Sequence, residues 1–293
     1  MFFTPSAYYN NRAQTRYRGE LSSSLFVTMY GSISPDGTQI FLTQHNDSLG
    51  AASVGGDPII SYTLGTPWDI STITAPNGKS GIYTRPSASS VGTNFGSEAQ
   101  TFGHAFSTDG TKMFTVGNNT GLVQSYTGST AWNVSTMTSP TRTYEYTASL
   151  GASLRAIDFS SDGLTMMLTG NGGKTGRYTL PSAWNIVGGT LLYTASLGFN
   201  SDITFENGGL YAFTFSGTGL VRKTFAAPYD IRSVVETQSV NLTSIGVVGN
   251  FLSIFFKNDG KKGYISSYSF GGNSLWAFEL EGSYDISGPL IIL

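Results

Sequence analysis

From about residue 26 onward the chain alternates short apolar stretches with turns rich in Gly, Asp and Asn. The apolar segments TQIFLT, TKMFTV, LTMMLT, LYAFTF and FLSIFF are each only as long as a strand. Each follows a turn: SPDG at Ser34 to Gly37, STDG at Ser107 to Gly110, SSDG at Ser160 to Gly163, and weaker echoes in ENGG at Glu206 to Gly209 and VGN at Val248 to Asn250. Asp-Gly and Asn-Gly between apolar runs form hairpins because these residues tolerate positive φ. An apolar strand before each turn and a third strand after a second turn, as in ISYTL, VQSYT, GRYTL, VRKTF and ISSYSF, complete three strands of a meander.

A second element follows the third strand: TPWDIS at 66–71, TAWNVS at 130–135, SAWNIV at 182–187 and APYDIRS at 227–233. A fourth strand comes next, for example TYEYTAS, LLYTAS and VVETQSV. The aromatic positions Trp68, Trp132, Trp184 and Tyr229 lie 64, 52 and 45 residues apart, approaching a compact four-stranded unit. Gly/Ser/Asn-rich insertions at 51–57 and 87–97 lengthen the first interval. A repeated four-stranded unit predicts a β-propeller, an all-β fold of about five blades stacked around an axis. Ring closure is expected from the chain ends. Either RYRGELS at 16–22 supplies the last unit's fourth strand, or LWAFELE at 275–281 does and the N-terminal segment is a tether. The expected organisation is an arm or closing strand at 1–25, repeats at 26–274, and a C-terminal strand and tail at 275–293 whose end, GPLIIL, docks on neighbouring subunits.

Composition fits this reading. Charged residues are 12% of the chain, about half the usual ~25%, and Gly numbers 37. Aromatics at 13% suit pleated surfaces. A net charge of -2 argues against a nucleic-acid groove. The absence of Cys leaves no disulfide or thiolate site. No apolar run reaches the ~18 residues of a membrane span, and no Sec-type signal is seen after the opening Phe pair.

The units FSTDGTKMFTVGNNTGLVQSYTGSTAWNVST and FSSDGLTMMLTGNGGKTGRYTLPSAWNIV resemble repeats of propeller proteins found in bacteriophages, where an FSxDGTKMY strand precedes a QYxLSTAWDVST element. The likeness is strongest over residues 100–200, weaker over 31–75 and faint beyond 205, where Tyr229 stands in the Trp position. It implies a virion or tail-associated structural protein or an adhesin, made in the host cytoplasm and localised to the particle. The partners it implies are other virion proteins in a homo- or hetero-oligomeric assembly, with a host glycan or receptor as a further candidate. The shared motif concerns fold and carries no catalytic residue.

Candidate chemistry is sparse. Asp36, Asp109 and Asp162 each bring one carboxylate to a turn, short of the six to eight oxygens Ca²⁺ needs, so turn formation is the better reading. Gly37, Gly110 and Gly163 complete those turns. Asp69, Asn133, Asn185 and Asp230 follow the framework aromatic and fit side-chain-to-backbone turn formers. Trp68, Trp132 and Trp184 suit packing between blades better than a ring of sugar platforms. GNGGKT at 170–175 fails as a phosphate loop, because Leu168 stands where its first Gly belongs. His45 and His104 lie in different units without metal or triad spacing. Asp158, Asp202 and Glu206 fall on expected innermost strands and are candidates for a glycosidase pair, but they share no repeated position and isolated acids in strands are more often rim residues. The expectation is therefore a non-enzymatic interaction protein with no catalytic residue, metal or cofactor. A carbohydrate-binding propeller stands second and a glycoside hydrolase third.

Overall fold

The computed structural model describes residues 28–45, 59–73, 82–83, 101–117, 121–137, 140–151, 153–197, 202–247, 249–269, 272–288 and 290–293. They form five four-stranded antiparallel sheets, the blades of a β-propeller. Blade 1 holds β1 (Thr28–Ile33), β2 (Gln39–His45), β3 (Ile59–Thr63) and β4 (Ile82–Tyr83). Blade 2 holds β5 (Thr101–Phe106), β6 (Lys112–Gly117), β7 (Leu122–Thr127) and β8 (Pro140–Glu145), followed by the helical turn α1 (Thr147–Leu150). Blade 3 holds β9 (Leu154–Phe159), β10 (Thr165–Gly170), β11 (Lys174–Thr179) and β12 (Thr190–Ser196). Blade 4 holds β13 (Thr204–Glu206), β14 (Tyr211–Ser216), β15 (Gly219–Phe225) and β16 (Val234–Asn241). Blade 5 holds β17 (Asn250–Phe256), β18 (Lys262–Ser269), β19 (Gly272–Glu279) and β20 (Ile291–Ile292). The first strand of each blade is innermost, and β1, β5, β9, β13 and β17 pack against one another around the axis.

Within each blade the hairpin turn and the aromatic element meet. Gly37, Gly110, Gly163, Gly209 and Gly260 all have positive φ, and their carbonyls accept the backbone N–H of Trp68, Trp132, Trp184, Tyr229 and Tyr284 at 2.7–2.9 Å. Each aromatic ring lies flat on its glycine, so a Cβ there would strike the ring. The five aromatics themselves sit at φ 57–64°, a left-handed conformation that costs a bulky residue about 1–3 kcal/mol. Surrounding bonds hold it. In the first three turns Ser34, Ser107 and Ser160 donate to Asp36, Asp109 and Asp162. The residue after the aromatic accepts the backbone N–H two positions on, as Asp69 does from Ser71 at 3.0 Å and Asn133 from Ser135 at 3.1 Å.

One position joins each blade to the next. Four residues after the turn glycine stand Phe41, Phe114, Met167, Phe213 and Tyr264. Phe41 meets Phe106 and Trp132 at centroid distances of 4.6 and 6.2 Å, and Phe114 meets Phe159 and Trp184 at 4.5 and 6.0 Å. Met167 joins the cluster of Phe205 and Tyr229, and Phe213 packs on Phe256 at 4.4 Å and Tyr284 at 6.1 Å. Tyr264 of blade 5 packs with Ile33 and Trp68 of blade 1 and donates its hydroxyl to the Trp68 carbonyl at 2.6 Å. The last interface therefore repeats the geometry of the other four.

Closure differs from the expected strand exchange. Residues 16–22 lie outside the described residues, and the fourth strand of blade 5 is β20, from the C-terminal tail. LWAFELE forms most of β19, the third strand, not the fourth. The described residues of 275–293 thus belong to the propeller, and Leu290 and Leu280 are buried in its core. The described part of the tail packs on the chain's own blade, with β20 along the edge of β19 and Leu290 buried. The fifth unit also sits one strand later than its sequence suggests. FLSIFF is the innermost strand β17, and the turn is Lys257 to Gly260 rather than Val248 to Asn250.

Two substitutions at positive-φ glycines separate ring contact from backbone strain. Gly163→Ala meets Trp184, whereas Gly172→Ala, with φ +85°, meets nothing within 4 Å. Thermal melts should show a loss of about 2–4 kcal/mol for the first and about 1 kcal/mol for the second. Equal losses would mean the ring contact contributes nothing. Leu290→Ala should cost about 2–4 kcal/mol through the cavity it leaves, and an unchanged melt would mean the tail is not part of blade 5.

Candidate functional site

Three acids, one on β9 and two four residues apart around β13, converge where blades 3, 4 and 5 meet. Asp158 lies on β9, Asp202 just before β13 and Glu206 at the end of β13. Asp158 is close enough to Asp202 and Glu206 to disfavour their ionisation. All three are half-buried.

Each acid caps backbone at an innermost strand. The Asp158 Oδ1 accepts the N–H of Phe159 at 2.7 Å, and Oδ2 accepts that of Phe205 in blade 4 at 2.8 Å. Glu206 receives the N–H of Phe256 in blade 5, the position equivalent to Phe205. Inner strands are sheet edges whose outward N–H groups need partners. At the 5–1 junction Ser253 Oγ does the same for the Gly31 N–H at 2.8 Å. Burial pushes Asp158 up to about 6 against the pull of its two amide donors, and it pushes Glu206 up to about 8, aided by the Asp158 charge. Burial also holds Asp202 well above the usual carboxylate range.

The geometry around Glu206 agrees with a protonated carboxyl. Tyr284 Oη stands 3.2 Å from Glu206 Oε2 and 3.1 Å from the Asn258 carbonyl. One hydroxyl hydrogen cannot serve both acceptors. With Glu206 protonated, its O–H donates to Tyr284 and Tyr284 donates to Asn258, so every atom is paired.

Towards the start of the inner strands β1, β5 and β9 lies a second group. Arg155 Cζ stands 4.2 Å over the Phe102 ring, and Tyr30 meets Phe102 edge-on at 5.7 Å. Phe102 and Arg155 sit at bulges, where one extra residue re-aims a side chain towards the axis. These three, contributed by blades 1, 2 and 3, had no sequence signal, since bulges are not written in local composition.

The repeat residues serve the framework. Asp36, Asp109 and Asp162 are spent within their own turns, with ordinary acidity strengthened first by the Ser hydroxyl. Asn185 accepts from Val187 at 3.3 Å and Asp230 from the Arg232 backbone at 3.4 Å. Trp68, Trp132 and Trp184 turn onto their glycines rather than forming an open ring of platforms. Among the described residues no group of three His, Cys, Asp or Glu is arranged to hold a metal. GNGGKT is the turn between β10 and β11. His45 ends β2, apart from His104 on β5, whose partners Ser32 and Thr43 belong to blade 1.

Because Glu206 is more basic folded than in an ordinary chain, the unfolded state binds fewer protons between about pH 4.5 and 8, and stability falls as pH rises through that window. Glu206→Gln mimics the protonated form. The Tm advantage of wild type over Glu206→Gln should shrink or reverse between pH 5 and 9, and a constant difference would mean that Glu206 is ionised throughout.

No family model and no curated protein matches the chain. Among solved structures it is similar to the β-propeller domain of Cps50 (Swd1) from Myceliophteria thermophila, at 11% identity and a TM-score of 0.43 over 82% of this chain and 66% of that one. It is similar to a putative 6-phosphogluconolactonase from Bacteroides uniformis, at 15% identity and a TM-score of 0.43 over 90% of this chain and 69% of that one. A third is the periplasmic gluconolactonase PpgL of Pseudomonas aeruginosa, at 16% identity and a TM-score of 0.46 over 90% of this chain and 68% of that one. The chain thus spans about two thirds of the length of the propellers it matches.

Proposed function

We propose that this chain is a structural and interaction component of a bacteriophage particle, a rigid disc that docks other virion proteins and does not depend on turnover. The phage assignment is supported by the repeat resemblance over residues 100–200. The interaction role is supported above all by where apolar surface is left exposed. The framework aromatics and the three acids are engaged internally, whereas Leu192 (51% exposed), Val235 (64%) and Ile291 (42%) project from the outer strands of three consecutive blades. Leu192 and Val235 are the unpaired residues of bulges in β12 and β16. Bulges shield a sheet edge from uncontrolled pairing, and apolar side chains on them add contact area for a specific partner. A glycosidase role finds less support, because both oxygens of Asp158 accept amide hydrogens instead of facing a substrate.

Mass spectrometry of purified particles should find the chain in fixed copy number, and its absence would overturn the assignment. Leu192→Asp combined with Val235→Asp should reduce its incorporation several-fold while moving the melting temperature of the isolated chain little, since surface changes usually stay within about 0.5 kcal/mol each. Full incorporation of that variant would remove the rim from the docking surface.

A further inference from the structure

One inner-strand position departs from the repeat in a chemically specific way. Six residues before the turn glycine stand Gly31, His104, Ile157, Ile203 and Ile254. Isoleucine fills this place in blades 3, 4 and 5, so packing does not require histidine. Five residues before the glycine stand Ser32, Ala105, Asp158, Thr204 and Phe255. Only at the junction of blades 1 and 2 do a serine and a histidine face each other.

His104 Nε2 lies 2.8 Å from Ser32 Oγ, and Nδ1 lies 2.8 Å from Thr43 Oγ1. His104 and Thr43 are buried, while Ser32 keeps partial solvent contact. Burial pushes the imidazole down to about 4, so it is neutral near pH 7 and carries one N–H and one lone pair. With the proton on Nδ1, His104 donates to Thr43 and its Nε2 accepts from Ser32. A hydroxyl, a base in hydrogen-bond reach and a third group that orients the base are the parts of an activated nucleophile. Arg155 brings positive charge to neighbouring residues on the same strands. It lies over Phe102, two residues before His104, and hydrogen-bonds Tyr30, two residues before Ser32.

We propose that Ser32 is a base-activated nucleophile that accepts an acyl group from small activated esters, with His104 as its general base and Thr43 as a positioning residue. The Ser32 oxygen bonds to the carbonyl carbon as its proton passes to His104 Nε2. The bond from that carbon to the leaving oxygen then breaks, and the leaving group takes the proton back from Nε2, giving an O-acyl serine and a free alcohol or phenol. This goes beyond the particle reading and is independent of it.

The test is incubation of the full chain with p-nitrophenyl acetate, following release of nitrophenol and mapping acetylated peptides by mass spectrometry. Acetylation should fall on Ser32 and vanish in Ser32→Ala. His104→Ile, which installs the residue of blades 3, 4 and 5, and His104→Gln should keep the fold by circular dichroism and slow Ser32 acetylation on the order of 100-fold. Thr43→Val should slow it several-fold with Ser32 still the site. The wild-type rate should level off above about pH 5 and fall as His104 protonates near about 4. Acetylation confined to lysines, or Ser32 acetylation at an unchanged rate in His104→Ile, would overturn the proposal.

Discussion

The clasp between a turn glycine and an aromatic ring governs the architecture of each blade. The glycine must lack a Cβ and adopt positive φ so that the ring can lie on it, and the aromatic must itself adopt a left-handed backbone to bring the ring down. Each partner strains or restricts itself for the other, and the shared N–H to carbonyl bond holds both. Because the turn follows the innermost strand and the aromatic element follows the third, the clasp ties the inner and outer halves of a blade at one end. It also presents the ring to the preceding blade, where Phe41, Phe114, Met167, Phe213 and Tyr264 find their partners.

Closure follows from the same contact. A ring of like interfaces needs no special latch when the last blade offers the residue that all the others offer, and Tyr264 does so for Trp68. Side chains then tailor individual junctions. Tyr146 donates to the Ile186 carbonyl between blades 2 and 3 at 2.6 Å, and Arg222 donates to the Tyr284 carbonyl between blades 4 and 5 at 2.6 Å. Truncating one such buried partner leaves the other unsatisfied, which makes these junctions more sensitive to mutation than their apolar area alone implies.

The strand count, the turns and the aromatic elements of the first four units were legible because they rest on local rules: Gly and Asp in turns, alternation in strands, an aromatic at a regular place. That the turn and the aromatic form one contact was not legible, since it joins residues 20 to 31 apart. The fifth unit was misread for a local reason. Lys257 replaces the turn serine and Tyr284 replaces the Trp, so Val248 to Asn250, another Gly-Asn turn before an apolar run, looked like the repeat. The acids Asp158, Asp202 and Glu206 could be named from their strands, but their convergence and their role as caps depend on the ring. The Ser32, His104 and Thr43 grouping likewise spans two blades and has no spacing signature.

Inner-strand polar residues in this propeller answer two demands that compete. Edge amides near the axis need acceptors, and a carboxylate from the neighbouring blade supplies them at the cost of losing water. Where both oxygens are used, as at Asp158, the charge is retained longer; where the surroundings offer an acceptor as well as donors, as at Glu206, the proton stays. His104 meets the desolvation by remaining neutral, and its two nitrogens are matched to two hydroxyls rather than to charges. Neutrality that satisfies burial is also what leaves a lone pair facing Ser32, so the same constraint that shapes the core places a base beside a nucleophile.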